Sequence, residues 1–100
     1  MRSREVRSVL DRARPRYGRR VVLFLTPGPG SWAVVATRRV GGAVERNRAK
    51  RILREAWRQV SPQVTEGFDA VLVAREAIRG ATTQDLVSEM IELLPRESVR

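Results

Sequence analysis

The sequence contains neither cysteine nor histidine. Without cysteine the chain can form no disulfide, thiolate metal site or cysteine nucleophile, and without histidine it lacks the commonest acid–base residue and metal ligand. This inventory is poor for an enzyme that acts alone. No apolar run approaches the roughly 18 residues of a membrane span, and the N-terminal segment lacks the apolar stretch of a signal peptide, so we expect a cytoplasmic protein. Residues 1–100 are expected to form one domain.

Positive charge is abundant and unevenly distributed, with a net charge of +9. Residues 1–20 hold eight Arg and two acids, and residues 38–58 hold eight Lys or Arg and two acids. Residues 59–100 hold four Arg and seven acids, so this part of the chain is acidic. Such segregation predicts a polyanionic partner, either nucleic acid or an anionic membrane surface.

Apolar spacing typical of helices predicts three of them. The first has about ten residues and must end before Pro15. The second spans 43–60, and the third spans 82–94, with Thr82 or Thr83 as its N-cap.

Runs of β-branched and aromatic residues predict three strands, at 19–26, 32–38 and 68–76. The turn sequence PGPGS predicts that the first two pair as an antiparallel hairpin, and whether 14–20 adds a further strand stays open. This order predicts an α+β sandwich with helices against one sheet. If the strands on either side of the second helix are parallel, general experience favours a right-handed crossover between them.

The second helix carries an apolar arc, and its remaining surface is basic. The polar positions are Arg46, Asn47, Arg48, Lys50, Arg51, Arg54 and Arg58. Like charges four residues apart destabilise an isolated helix by a few tenths of a kcal/mol per pair, so an external anion should neutralise them. A solvated face usually mixes both signs of charge, but Glu45 and Glu55 are the only acids in this helix.

RNA is the partner that this pattern favours. A membrane-surface helix would need large apolar residues, yet the apolar arc is required for the core. A helix-turn-helix reader of DNA would need a second helix just upstream, where the sequence predicts a strand followed by Gly41-Gly42. The glycine pair lets a phosphate approach the helix N-terminus, and Val22 and Phe24 share one strand face that offers either an apolar groove or core packing.

The stretch GGAVERNRAKRILREAWR resembles the signature of the bacterial ribonuclease P protein subunit, in which Gly-Asn-Ala-Val precedes Arg-Asn-Arg and a basic helix. Similarity extends to the first helix, the strands and the closing helix. The resemblance implies an αβββαβα two-layer sandwich with helices against a four-stranded sheet and a left-handed βαβ crossover, which replaces the general expectation of handedness.

The same resemblance implies a function and its partners. A catalytic RNA would cleave precursor tRNA at the mature 5′ end, with magnesium or other divalent ions bound mainly through the RNA. The protein would be the subunit of this ribonucleoprotein endonuclease that binds the catalytic RNA and the 5′ leader of the precursor, with no obligate protein partner.

Two groups of site residues follow from matching the family pattern to this chain. The implied RNA-binding residues are Arg38, Arg39, Arg46, Asn47, Arg48, Lys50, Arg51 and Arg54. The implied leader-cleft residues are Val6, Leu10, Val22, Phe24 and Val35. Gly42 replaces the family's Asn. Val6 and Leu10 stand where the family usually has aromatics, which weakens base stacking, a contribution of about 1–3 kcal/mol per base.

Two alternative functions stay open. A ribosomal or nonspecific nucleic-acid-binding protein would share the charge but not the motif. A stand-alone metal-dependent nuclease would need clustered carboxylates, whereas the acids are scattered at Asp69, Asp85, Glu89 and Glu92.

Overall fold

Three helices and four strands lie along residues 1–100, all of which the computed structural model describes. They are α1 (Ser3–Arg12), β1 (Arg14–Tyr17), β2 (Val21–Pro27), β3 (Trp32–Val35), α2 (Ala43–Val60), β4 (Phe68–Ala74) and α3 (Thr83–Leu93). Short 3-10 turns follow α2, β4 and α3. The predicted element order αβββαβα is confirmed, and the segment whose structure the sequence left open contains β1. None of the helices combines the length and hydropathy that a membrane span requires.

The four strands form one sheet in the order β1-β2-β4-β3. β2 is antiparallel to both β1 and β4, and β3 is parallel to β4. The predicted hairpin between 19–26 and 32–38 is therefore wrong, because β4 lies between these strands. Five of the seven β4 residues are buried, whereas none of the four β3 residues is. A strand buried on both faces is stabilised most at the centre of a sheet, and a short half-exposed strand suits an edge.

The two faces of the sheet carry different helices. On one face Val21, Leu23 and Leu72 pack with α2 and α3 in the main core. On the other face Val9 of α1 and Ala13, the C-cap of this helix, pack around Val71. The predicted α+β fold is confirmed, with the correction that α1 covers part of the second face, so the helices do not all lie in one layer. The correction follows from strand alternation, since apolar side chains on both sheet faces need cover.

The apolar arc predicted for α2 is confirmed. Its buried residues are Ala49, Ile52, Leu53, Ala56, Trp57 and Val60. Because α2 connects the parallel strands β3 and β4, it forms the predicted βαβ unit. The left-handed sense of this crossover stays a prediction.

A reciprocal cap begins α3. The Thr82 hydroxyl accepts a hydrogen bond from the Asp85 amide at 3.1 Å, and the Asp85 carboxylate accepts one from the Thr82 amide at 2.9 Å. These bonds favour the charged carboxylate, so the backbone and side-chain hydrogen bonds with Thr82 lower the pKa of Asp85 below its ordinary value.

A carboxylate of α3 anchors the turn between β1 and β2. Glu89 accepts hydrogen bonds from the amides of Arg20 at 2.8 Å and Val21 at 3.0 Å, and its second oxygen is 3.2 Å from the Arg20 guanidinium. Only 11% of the Glu89 side chain is exposed. A side chain at Gly18 would collide with this carboxylate, which explains the glycine. The turn that follows Tyr17 is thus held against α3.

We predict that Glu89→Ala lowers the free energy of unfolding by about 2 kcal/mol, because two partly buried amides lose their acceptor. Glu89→Gln keeps a carbonyl acceptor and should cost less. Urea denaturation followed by circular dichroism measures both values. Equal losses in the two variants would show that the hydrogen bonds to the turn do not stabilise the fold.

The cap of α3 predicts a pH dependence. Because the folded-state pKa of Asp85 is lowered, its contribution to stability is present above the unfolded pKa of about 4 and is lost as pH falls through the folded value. Asp85→Asn should therefore flatten the acid side of a plot of urea midpoint against pH and leave the slope between about pH 6 and 8 unchanged. If Asp85→Asn left the acid side of this plot unchanged, Asp85 would not be the source of the pH dependence.

Candidate RNA-binding surface

The outer face of α2 is cationic and exposed, as predicted. Its exposed polar residues include Asn47, Arg48, Arg51, Arg54 and Arg58, while Arg46 and Lys50 are partly buried at its margin. The acid nearest to this row is Glu55, whose carboxylate is 3.9 Å from Arg51. Both side chains are about half exposed, so water screens this pair and little of the charge is neutralised. At the far end of the helix the Arg58 guanidinium lies over the Trp32 ring, 5.9 Å from its centroid.

The two arginines of the Arg-Asn-Arg motif also have structural partners. Arg46 donates a hydrogen bond to the Gly41 carbonyl, and Arg48 donates one to the Ala81 carbonyl, each at 3.0 Å. These acceptors carry no formal charge, so both guanidinium groups remain cationic and keep further N–H donors. Arg48 ties α2 to the segment that leads into α3, and Arg46 closes the glycine turn. Only Asn47, between them, projects without such a bond.

The N-terminus of α2 is less open than the sequence predicts. Gly42 is its N-cap and supplies no side-chain hydrogen bond, and Gly41 has a φ of 143°, which favours glycine. The Glu45 side chain lies alongside both glycines and is 4.0 Å from Arg79. An acid thus already faces the positive end of the helix dipole, and a phosphate arriving there would have to displace it.

The predicted leader-cleft residues meet on the sheet face that α1 partly covers. Val6 and Leu10 of α1 pack with Phe24 and Val35 around the small core of Val9, Ala13 and Val71. The first four are only partly buried, so Phe24 contributes to packing and keeps part of its ring accessible.

An open groove of about 1070 Å³ extends this face beyond α1. Val22, which is 8% exposed, lies in its floor with Val73. The predicted pair Arg38 and Arg39 lines the groove, so the structure brings it together with Val22. Lys50, Arg51 and Arg54 do not line this groove and form the separate surface on α2.

Sequence reasoning missed most of the residues that line the groove, including Tyr17, Arg19, Arg75 and the floor residue Val73. The first two flank the turn after β1, and Arg75 directly follows β4. The strand of Tyr17 was not assigned from the sequence, although the alternation in RPRY was an available signal. Against four arginines the groove contains one acid, Glu76.

Three of the four acids considered for a metal-dependent nuclease accept hydrogen bonds from backbone amides at different places in the fold, and the fourth, Glu92, lies exposed on α3. Asp69 of β4 accepts hydrogen bonds from Gly30 and Ser31, each at 2.8 Å, while Glu89 and Asp85 anchor a turn and a helix cap. Nowhere do three or more of these acids stand close enough to hold a metal ion together. The donor set therefore does not support a stand-alone metal-dependent nuclease.

Comparison with known proteins identifies the family. The family model for ribonuclease P matches residues 1–97. A ribonuclease P protein component from Herpetosiphon aurantiacus is 34% identical over 93% of this chain and 83% of that protein. One from Chloroflexus aurantiacus is 52% identical over 52 residues, which are 50% of this chain and 38% of that protein, so the match spans less than two thirds of that relative.

Solved structures agree with this assignment at the level of the fold. The RNase P protein from Thermotoga maritima superposes with a TM-score of 0.81 over 96% of this chain and 94% of that chain, at 22% identity. A mutant of the Staphylococcus aureus RNase P protein superposes with a TM-score of 0.79 over 94% of this chain and 82% of that chain, at 18% identity. The family match over residues 1–97 and the shared fold lead to one conclusion: the chain belongs to the ribonuclease P protein family.

Proposed function

We propose that this chain is the RNA-binding protein subunit of ribonuclease P. It binds the catalytic RNA and the 5′ leader of precursor tRNA, and it assists endonucleolytic removal of the leader in the cytoplasm. Beyond family membership, one observation carries the proposal: the cations of α2 and of the groove are exposed and largely unpaired within the chain.

The outer face of α2 is the contact surface for the catalytic RNA in this proposal. Asn47, Arg51 and Arg54 point to solvent along one side of a rigid helix, so they can meet successive phosphates without reorganising the fold. Guanidinium groups suit this role because their planar fork donates two parallel hydrogen bonds to one phosphate. Arg46 and Arg48 add charge at the start of this surface, and their bonds to Gly41 and Ala81 hold the helix in place.

The groove is the surface for the leader. Its floor of Val22 and Val73 suits the apolar faces of unpaired bases, and Arg38 and Arg39 supply charge for the phosphates. The arrangement separates the two RNAs, since the groove lies on the α1 face of the sheet and α2 covers the opposite face.

The bond-breaking step belongs to the RNA in this proposal. The carboxylates of the chain do not fit a resident metal site, because no three of them lie close together, and Asp69, Glu89 and Asp85 each accept a hydrogen bond from a backbone amide. Magnesium or other divalent ions would therefore be held mainly by RNA phosphates. The chain itself contributes positive charge that reduces repulsion between the two polyanions.

Binding of the catalytic RNA should weaken steeply with salt, because each phosphate contact releases counterions. We predict that Arg51→Ala and Arg54→Ala each lower the log–log salt slope by about one. Filter binding over a salt series measures the slope. Arg96→Ala is the matched control, since it removes the same charge from the turn after α3 and should leave the slope unchanged. If all variants gave the same slope as the unmodified chain, the outer face of α2 would not contact the RNA.

Reconstitution tests the function itself. The chain, added to a ribonuclease P RNA at low magnesium, should increase cleavage of precursor tRNA at the mature 5′ end. Arg48→Ala should reduce this gain and lower the melting temperature, because it removes both a charge and the bond to Ala81. Arg48→Lys keeps the positive charge but lacks the planar guanidinium that donates two parallel hydrogen bonds, so we expect it to retain part of the gain in cleavage. The proposal would be overturned if the unmodified chain did not increase cleavage. It would also be overturned if the chain, purified from cells, carried ribosomal RNA and no ribonuclease P RNA.

A further inference from the structure

A row of apolar side chains crosses the sheet on the face that carries the groove. The strand register places Tyr17 opposite Val22, Val22 opposite Val73, and Val73 opposite Val35. Residues paired in this way point to the same face, and neighbouring strands are about 4.8 Å apart, so the row spans about 14 Å. α1 packs over the neighbouring row, around Val71. The row from Tyr17 to Val35 thus borders the open groove.

Arginines border both ends of this row. Arg38 and Arg39 follow β3 and precede α2, whereas Arg19 and Arg75 lie at the other end, beside the turn after β1. The Arg75 guanidinium is fixed there, since it donates a hydrogen bond to the Gly18 carbonyl at 2.7 Å. The end that is distant from α2 therefore has its own cations and is a separate contact region of the groove.

Tyr17 is the large side chain at that distant end. It is 69% exposed, although it sits on a strand whose position is set by pairing with β2 and by the Glu89 anchor of the following turn. Its hydroxyl makes no hydrogen bond within the chain. A single exposed aromatic is ordinary on a protein surface. An aromatic ring on a strand of fixed register, lining one groove with Arg19 and Arg75 at the end of an apolar row, has the composition of a base-stacking site.

We propose that Tyr17 is a stacking platform for an unpaired base of the precursor leader, at the end of the groove distant from α2. The inference rests on the proposed function and adds a contact that the family pattern does not supply, since Val6 and Leu10 offer no aromatic ring. Stacking accepts any base, because every base has a π face, and Arg19 and Arg75 bind the phosphates on either side. A leader that enters the groove at Arg38 and Arg39 reaches Tyr17 only when it is long enough to cross the groove.

The test compares two precursors with the reconstituted holoenzyme. One carries a long unpaired leader, and the other carries a leader cut back to its last nucleotide. Tyr17→Ala should weaken binding of the long-leader precursor about fivefold or more and leave binding of the short-leader precursor unchanged. Tyr17→Phe keeps the ring and should bind both precursors as the unmodified chain does. Because Tyr17 is exposed, the melting temperature should not change in either variant.

A direct measurement uses the fact that Tyr17 is the only tyrosine. Its ring signals in the NMR spectrum of the chain should shift upfield when a single-stranded RNA with the leader sequence is added. Unshifted signals, or equal binding of the long-leader precursor by Tyr17→Ala and the unmodified chain, would overturn the inference while processing by the holoenzyme continued. Failure of the unmodified holoenzyme to process either precursor would instead overturn the proposed function.

Discussion

Burial of β4 on both of its faces is the constraint on which the arrangement of the molecule depends. Its side chains alternate between the main core under α2 and α3 and the smaller core under α1. β4 pairs with β2 on one side and with β3 on the other. The chain therefore leaves β3, passes over one face of the sheet as α2, and then fills the central position between β2 and β3. The cationic helix and the groove therefore lie on opposite faces of the same strand.

Charge also differs between the two helices that cover the main core. The sequence of α3 contains Asp85, Glu89 and Glu92 but no lysine or arginine. The acidic helix packs beside α2, whose outer face carries the cations, so the molecule has electrostatically distinct sides. Such a field orients an approaching polyanion before contact, because the potential attracts it to one side and repels it from the other. The carbonyl partners of Arg46 and Arg48 preserve this field, since they fix the side chains without cancelling their charge.

Local sequence patterns predicted the positions of helices and strands better than they predicted which strands pair. The period of α2 identified its buried face, because each apolar residue reports on its own helix. Strand pairing could not be read in this way, since the turn sequence PGPGS suits a hairpin as well as the loop that Asp69 holds through Gly30 and Ser31. The continuous apolar run of β4 was the available signal for a central strand. The cations of α2 were predicted because charge is visible in sequence, whereas Tyr17, Arg19 and Arg75 meet only through the sheet register.

The composition of β1 bears on how separate copies of the protein behave towards one another. β1 is an edge of the sheet, where an unpaired backbone can accept a strand from a second molecule. Pro15 offers no N–H to such a strand, and the exposed side chains of Arg14 and Arg16 would face the like charges of an identical neighbour. These features oppose polymerisation through this edge, so free molecules can accumulate without sheet extension there.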